Sequence, residues 1–133
     1  MAEDTYRTPL RRARGLGSAK HGVGHFIGQR VSAAALIPLT LWGLWSAFTL
    51  ARGGYDGAIA WLRSPIDAAL IALLALAAFY HMQIGMRVII EDYVHAKGWR
   101  TTLLIGNLFL CWGAAALTLV CLMKVAFGAG GAI

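Results

Sequence analysis

The sequence predicts an all-α membrane protein with three transmembrane helices. Hydrophobic residues make up 59% of the 133 residues and charged residues only 14%, whereas soluble domains carry about 45–50% apolar and about 25% charged residues. The apolar residues also fall into three long blocks, each about the length that crosses a hydrocarbon core. We therefore expect residues 1–133 to form a single membrane-anchor domain.

The first block follows a polar, basic segment over residues 1–25. No apolar core closely follows those charges and no small-residue cleavage site is evident, so we expect a cytoplasmic segment and not a signal peptide. We expect the first span to cover about residues 26–50. Pro38 lies inside it and removes one backbone hydrogen bond, which predicts a kink or relief by neighbouring groups.

A short loop, "ARGGYDGAIAWLR", is expected between the first two spans. The second span is expected over about residues 65–92. Ser64 is a favoured N-cap residue, Pro65 suits the first helical position, and Asp67 can face the positive end of the helix dipole. After the loop "VHAKGWR", we expect the third span to cover about residues 102–127.

The positive charges predict the orientation. Most of the formal net charge of +6 comes from Lys and Arg before the first span and in the second loop. Cytoplasmic flanks of spans are enriched in these residues, so we expect the N-terminus and the second loop in the cytoplasm and the C-terminus on the opposite side of the membrane. The basic residues do not alternate with aromatic ones on a soluble segment, which argues against nucleic acid binding.

The cysteines of the third span predict no disulfide. Ten helical residues separate Cys111 from Cys121 by about 15 Å, and a disulfide needs Cα atoms within about 7 Å. We expect both to be small apolar fillers.

His81 is the candidate for cofactor chemistry. It shares one face of the second helix with Gly85 and Asp92, and an ionisable residue inside a span indicates function. A neutral imidazole is a standard axial ligand of haem iron, and Gly85 leaves room beside it for the porphyrin edge. The alternative is that His81 simply hydrogen-bonds to a neighbouring helix.

The histidine count predicts a partner polypeptide. His81 is the only histidine at mid-membrane depth, so the second ligand of a bis-histidine haem would come from another chain. Three helices also enclose little interior. Arg30, at the start of the first span, suits a bidentate pair with a haem propionate; alternatively, it extends its charge to the membrane interface.

Asp92 and Tyr93 lie about 16 Å beyond His81 along the second helix. A tyrosine hydroxyl can donate to a quinone carbonyl, and an adjacent carboxylate can orient it or relay protons. The alternative is a tyrosine of the aromatic belt beside a solvated aspartate. We expect Glu91 to pair with Arg87 one turn earlier.

Two stretches resemble a known family. "HMQIGMRVIIEDYVH", residues 81–95, resembles a segment of the smaller hydrophobic membrane-anchor subunit of succinate dehydrogenase, respiratory complex II. "TPLRRARGLGSAKHGVGHFIGQRVSA" is similar to the N-terminal segment of that subunit in alphaproteobacteria. The resemblance implies an anchor in the bacterial inner membrane. Its implied partners are a second three-span anchor of the cytochrome b556 type, an iron–sulfur subunit and a flavoprotein subunit.

The same resemblance implies roles for individual residues. His81 would be this chain's axial ligand to a haem b shared with the partner anchor, and Arg30 would contact a propionate. His25 and Gly85 would lie in the vicinity of the haem. Ubiquinone would be the electron acceptor, and two residues would serve its site: Tyr93 by a hydrogen bond and Asp92 by supporting it.

Two other functions remain open from the sequence. The chain could be a purely structural anchor or assembly subunit, with His81 in an interhelical hydrogen bond. A transporter or channel subunit is disfavoured because the spans have few polar residues to line a pathway. No nucleophile–base pair, carboxylate dyad or thiolate cluster is present, so we expect no activity from the chain alone.

Overall fold

The computed structural model describes Leu10 and residues 22–128. Three long α-helices follow one another there: α1 (Gly22–Arg63), α2 (Pro65–Tyr93) and α3 (Lys97–Phe127). Each is long and apolar enough to cross a membrane. The predicted fold class, an all-α protein with three membrane-spanning helices, is therefore confirmed.

The segment that was expected to be a loop, residues 51–63, is helical on both sides of Gly54, so the expected loop is reduced to a turn at that residue. Gly54 interrupts it with φ 64° and ψ −168°, a combination that essentially only glycine adopts. A straight helix would hold residues 42 and 61 about 28 Å apart, yet the rings of Trp42 and Trp61 stack with centroids 5.6 Å apart. The chain therefore folds back at Gly54. Pro38 lies within the helical part and does not break it.

α2 begins where the sequence predicts. Ser64 occupies the N-cap position, Pro65 is the first helical residue and Asp67 lies in the first turn. The Ser64 side chain makes no capping hydrogen bond; its carbonyl accepts the first helical bond from the N–H of Ala68 at 2.9 Å. The predicted boundary is confirmed, although the hydroxyl does not supply the cap.

α3 begins at Lys97, five residues before the expected start of the span. The connection between α2 and α3 is therefore limited to residues 94–96. The hydroxyls of Thr101 and Thr102 donate to the carbonyls of Lys97 and Gly98 at 3.0 and 3.1 Å, which fits a continuous helix. Hydrophobicity marks the part of a helix that meets lipid, whereas backbone hydrogen bonding continues into polar sequence. The helix is therefore longer than the apolar block.

α2 packs between α1 and α3. In the middle of the α2–α3 contact, the Asn107 side chain is buried and its Nδ2 donates to the carbonyl of Gln83 at 2.9 Å. Its Oδ1 accepts from the thiol of Cys111 at 3.3 Å. A polar side chain that bonds across helices stabilises their association inside a bilayer. Cys111 and Cys121 are both free, as predicted.

A different arginine forms a hydrogen bond between segments at each end of the bundle. At one end, Arg87 of α2 contacts His25 of α1. At the other end, Arg63 donates to the carbonyl of Gly128, just after α3, at 3.3 Å. The end with Arg87 and His25 therefore contains the beginning of α1 and the end of α2. The end with Arg63 and Gly128 contains the reversal at Gly54.

Candidate functional site

The imidazole of His81 is attached to α1 by a hydrogen bond. His81 is half-buried, and its Nδ1 lies 3.0 Å from the Oγ of Ser32. Ser32 is only 5% exposed. Among residues 22–128, the Nε2 atom of His81 makes no hydrogen bond. The interhelical bond foreseen as the alternative role of His81 is therefore present, and it uses one of the two ring nitrogens.

Ser32 has a second hydrogen bond. Its hydroxyl donates to the backbone carbonyl of Gln29, one turn earlier on α1, at 3.0 Å. The sequence suggests only that a small residue here lets helices approach. The hydrogen bond of Ser32 to His81, 49 positions away, could not be predicted from the sequence around Ser32. It depends on how two antiparallel helices align.

Gly85 lies one turn from His81, as predicted, and faces the Gln29 side chain. A Cβ built on Gly85 would lie 3.9 Å from the Gln29 Nε2, an ordinary van der Waals distance. The Gln29 Oε1 is buried and has no hydrogen-bond partner within the described residues. An unsatisfied buried acceptor costs about 1–3 kcal/mol. The surroundings of Gly85 thus contain both space and an acceptor that lacks a donor.

Arg30 lies exposed on α1, two residues before Ser32. Its guanidinium stands over the ring of Phe26, with 4.9 Å from the guanidinium carbon to the ring centroid. In the described part of the chain, Arg30 forms no ion pair with a carboxylate. Neither role predicted for Arg30 from the sequence, the propionate contact or the interfacial charge, is tested by this position, and both stay predictions.

Arg87 links His25 to Glu91 at the end of the bundle. Its Nη1 donates to the Nε2 of His25 at 3.2 Å, and its Nε donates to the Oε1 of Glu91 at 2.9 Å. The predicted pairing of Arg87 with Glu91 is thus confirmed. A guanidinium has no acceptor, so the Nε2 of His25 is unprotonated in this contact. Arg87 lies about 9 Å beyond His81 along α2, which places His25 nearer the end of the bundle than the His81 imidazole.

Asp92 and Tyr93 are at that same end. Tyr93 is the last residue of α2 and is 78% exposed. Asp92 is also exposed, and neither side chain hydrogen-bonds to another group of residues 22–128. The structure therefore separates two groups: His81 with its α1 neighbours in the span, and Asp92 with Tyr93 at the end of the helix.

An open, mostly apolar groove of about 600 Å³ runs beside Ser32, with Gly28, Tyr80 and Trp112 among its lining residues. Gly28 makes the close contact with α2 possible, because a Cβ there would lie 2.5 Å from the Tyr80 hydroxyl oxygen. The groove combines residues from all three helices near the depth of the Ser32–His81 bond.

Comparisons with known proteins agree with this architecture. A family model described as succinate dehydrogenase/fumarate reductase transmembrane subunit matches residues 4–123. A relative from Rickettsia bellii, named succinate dehydrogenase hydrophobic membrane anchor subunit, is 37% identical over 75% of this chain and 80% of its own length. One from Paracoccus denitrificans with the same name is 30% identical over 93% of this chain and 95% of its own. No solved structure matches significantly.

Proposed function

Because this chain belongs to the succinate dehydrogenase/fumarate reductase transmembrane subunit family and is a multi-pass membrane anchor subunit of succinate dehydrogenase, we propose two roles for it within that enzyme. It binds one haem b jointly with a partner anchor subunit, and it forms part of the site that reduces ubiquinone. The observation that carries the proposal is the His81 imidazole, which has one nitrogen bonded to Ser32 and the other without a hydrogen bond among residues 22–128.

The residues around His81 fit a haem. An axial imidazole needs one unprotonated nitrogen directed at the iron, while the other nitrogen is held by a neighbouring group. Gly85, one turn from His81, presents no side chain, and even a Cβ there would lie at an ordinary distance, 3.9 Å, from the nearest Gln29 atom. A bound haem b supplies reversible one-electron transfer between ferric and ferrous iron. The second ligand to the iron would come from the partner, because among residues 22–128 no other histidine lies in the middle of a span.

Arg30 serves the haem propionates in this proposal. Its guanidinium makes no ion pair with a carboxylate in the described structure, and its Cα lies about 3 Å along the helix axis from that of Ser32. A carboxylate in such a position accepts two parallel N–H bonds from the guanidinium. His25, bonded to Arg87, lies further toward the end of the bundle and contributes to the polar surroundings on that side.

Tyr93 and Asp92 serve ubiquinone. The exposed Tyr93 hydroxyl donates to one quinone carbonyl, and the neighbouring Asp92 carboxylate accepts or delivers the protons that accompany reduction. Both side chains lie at the end of α2, outside the apolar middle of the span. This position suits a headgroup that must meet electrons from a soluble subunit and protons from water.

The partners and the orientation follow from the same proposal. An iron–sulfur subunit and a flavoprotein subunit dock on the side that carries Asp92 and Tyr93, and that side is the cytoplasmic face of the bacterial inner membrane. The basic flanks before the first span and between the last two spans support this orientation. The C-terminus then lies in the periplasm.

The test is spectroscopic and uses the whole enzyme purified through this chain. The wild-type complex is expected to show a reduced-minus-oxidised difference spectrum of b type, and His81→Ala is expected to abolish it. His95→Ala is the matched control, because His95 is exposed between α2 and α3 and its substitution should leave the spectrum intact. An unchanged spectrum in His81→Ala would show that the haem is held elsewhere.

The Ser32–His81 bond also favours a second candidate, an anchor subunit in which His81 only joins two helices. An interhelical hydrogen bond of this kind stabilises a membrane bundle by about 0.6–2 kcal/mol. Under this alternative, the wild-type complex has no b-type spectrum, and His81→Ala lowers its yield or thermal stability without changing quinone reduction by the complexes that assemble.

A further inference from the structure

We propose that Ser32 is the positioning residue for His81. Its hydroxyl oxygen accepts a hydrogen bond from the Nδ1–H of the imidazole and so fixes the tautomer whose unprotonated Nε2 can ligate iron. The inference rests on the proposed haem ligation by His81 and adds the residue of this chain that prepares the ligand.

The direction of the hydrogen bond follows from a count of protons. A serine hydroxyl has one O–H donor and two acceptor lone pairs. Two groups lie 3.0 Å from the Ser32 Oγ: the backbone carbonyl of Gln29 and the Nδ1 of His81. A carbonyl oxygen can only accept, so the single hydroxyl proton is directed to Gln29. The contact with His81 is then a hydrogen bond only if Nδ1 carries a proton.

The state of the other nitrogen follows. A neutral imidazole carries one N–H, so a proton on Nδ1 leaves Nε2 with a free lone pair. The opposite tautomer would place two lone pairs, on Nδ1 and on Oγ, 3.0 Å apart, unless Ser32 gave up its bond to Gln29. In that case the hydroxyl donates to Nδ1 and makes one hydrogen bond, whereas the Nδ1-protonated tautomer makes two. The Nδ1-protonated tautomer satisfies every group in the contact.

The position of Ser32 also fixes the orientation of the ring. Ser32 is almost fully buried, and its hydroxyl is anchored to α1 by the bond to Gln29. The imidazole is therefore held by a fixed point on a neighbouring helix and not by a mobile side chain. A histidine ligand held in this way loses less conformational freedom when it binds metal.

A hydrogen bond at Nδ1 also changes the iron. An acceptor at that nitrogen raises the basicity of the imidazole, and a more basic ligand stabilises ferric iron relative to ferrous iron. Ser32 thereby lowers the midpoint potential of the haem. This effect distinguishes a positioning residue from a merely structural one, because helix packing alone does not alter the potential.

The experiment compares Ser32→Ala with two other variants in the purified whole complex. Ser32→Thr retains a hydroxyl, and Ser46→Ala removes another buried serine from the same helix, 7% exposed, without contact to His81. The measurements are the midpoint potential from a redox titration, the haem content per complex, and the rate of haem transfer to apomyoglobin.

Ser32→Ala is expected to raise the midpoint potential and to speed haem loss by about ten-fold or more, the usual size of a lost bond to a metal-bound histidine. Ser32→Thr should restore both values toward wild type, and Ser46→Ala should change neither. A potential and a rate equal to wild type in Ser32→Ala would overturn the inference. An equal failure of Ser32→Ala and Ser32→Thr to assemble would also overturn it. That result would mean that the volume of the Ser32 side chain matters and its hydroxyl does not.

Failure of the underlying function would look different. If His81→Ala keeps its b-type spectrum, the ligand assignment itself is wrong. If His81→Ala loses the spectrum while Ser32→Ala matches wild type, haem ligation stands and only the role of Ser32 is rejected.

Discussion

The Nδ1 atom of His81 on α2 lies 3.0 Å from the Oγ of Ser32 on α1. This contact joins the two antiparallel helices at the depth of the candidate haem ligand. On its far side, one turn along each helix, Gly85 faces Gln29. The interhelical bond and the close approach at Gly85 therefore lie side by side in the part of the chain where the cofactor is expected to bind.

Tyr93→Phe should slow the reduction of ubiquinone by about two- to thirteen-fold, the effect of losing one hydrogen bond of about 0.5–1.5 kcal/mol. Succinate oxidation by an artificial acceptor should be unaffected, since that acceptor bypasses the quinone site. Tyr55→Phe is the control, because Tyr55 is similarly exposed, at 80%, beside the reversal at Gly54. An equal fall in both activities would contradict the assignment of Tyr93 to the quinone.

Arg30→Gln should lower the midpoint potential of the haem and weaken haem retention by about ten-fold or more. The reason is the loss of a charge-assisted bond to a propionate, worth about 1.5–3 kcal/mol, and of a positive charge that favours ferrous iron. Arg52→Gln is a close control, because the Arg52 guanidinium stands over Phe48 at 4.8 Å, much as Arg30 stands over Phe26. Equal shifts of the midpoint potential in the two variants would mean that any lost positive charge has this effect and that Arg30 does not bond to a propionate.

Gly54→Ala should destabilise the complex by about 1–3 kcal/mol, because a side chain strains the backbone at φ 64° and ψ −168°. Thermal unfolding of the purified complex measures the change. Gly53→Ala should be neutral or slightly stabilising, since Gly53 is helical and a Cβ there meets nothing within 4 Å. A Gly54→Ala protein as stable as the Gly53→Ala protein would refute the reversal.

Gly28→Ala should destabilise the packing of α1 on α2 by about 1–3 kcal/mol, because the new Cβ overlaps the Tyr80 hydroxyl. Tyr80→Phe removes that oxygen, so the double variant should recover much of the loss. Gly24→Ala adds a Cβ with nothing within 4 Å and should have little effect. The check is a double-mutant cycle on thermal stability; strictly additive effects would exclude the contact.

Local features of the sequence predicted a large part of this structure. Three apolar blocks gave the three helices, Pro65 and Asp67 marked the start of α2, and the one-turn spacing of Arg87 and Glu91 gave their ion pair. Each of these depends on residues within a few positions of one another. Hydrophobicity, capping and helical spacing are sufficient to identify them.

The features that were missed depend on contacts between distant segments. The Ser32–His81 bond requires knowledge of how α1 and α2 align, and that alignment comes from packing such as Gly28 against Tyr80. Similarly, residues 51–63 were expected to form a loop, but they are helical on both sides of Gly54, and the chain reverses there so that Trp42 stacks on Trp61. The site residues were named from helical faces, whereas their neighbours on other helices were not predictable.

The reversal at Gly54 limits how far the chain projects from the membrane. A straight helix of 42 residues would measure about 63 Å, roughly twice the thickness of a hydrocarbon core. Instead the arm after Gly54, residues 55–63, runs back beside the earlier part of α1, where Trp61 stacks on Trp42. Its last residue, Arg63, hydrogen-bonds to the carbonyl of Gly128. That face of the bilayer therefore offers proteases and antibodies only a shallow surface, and an epitope tag placed there would disturb a packed arm.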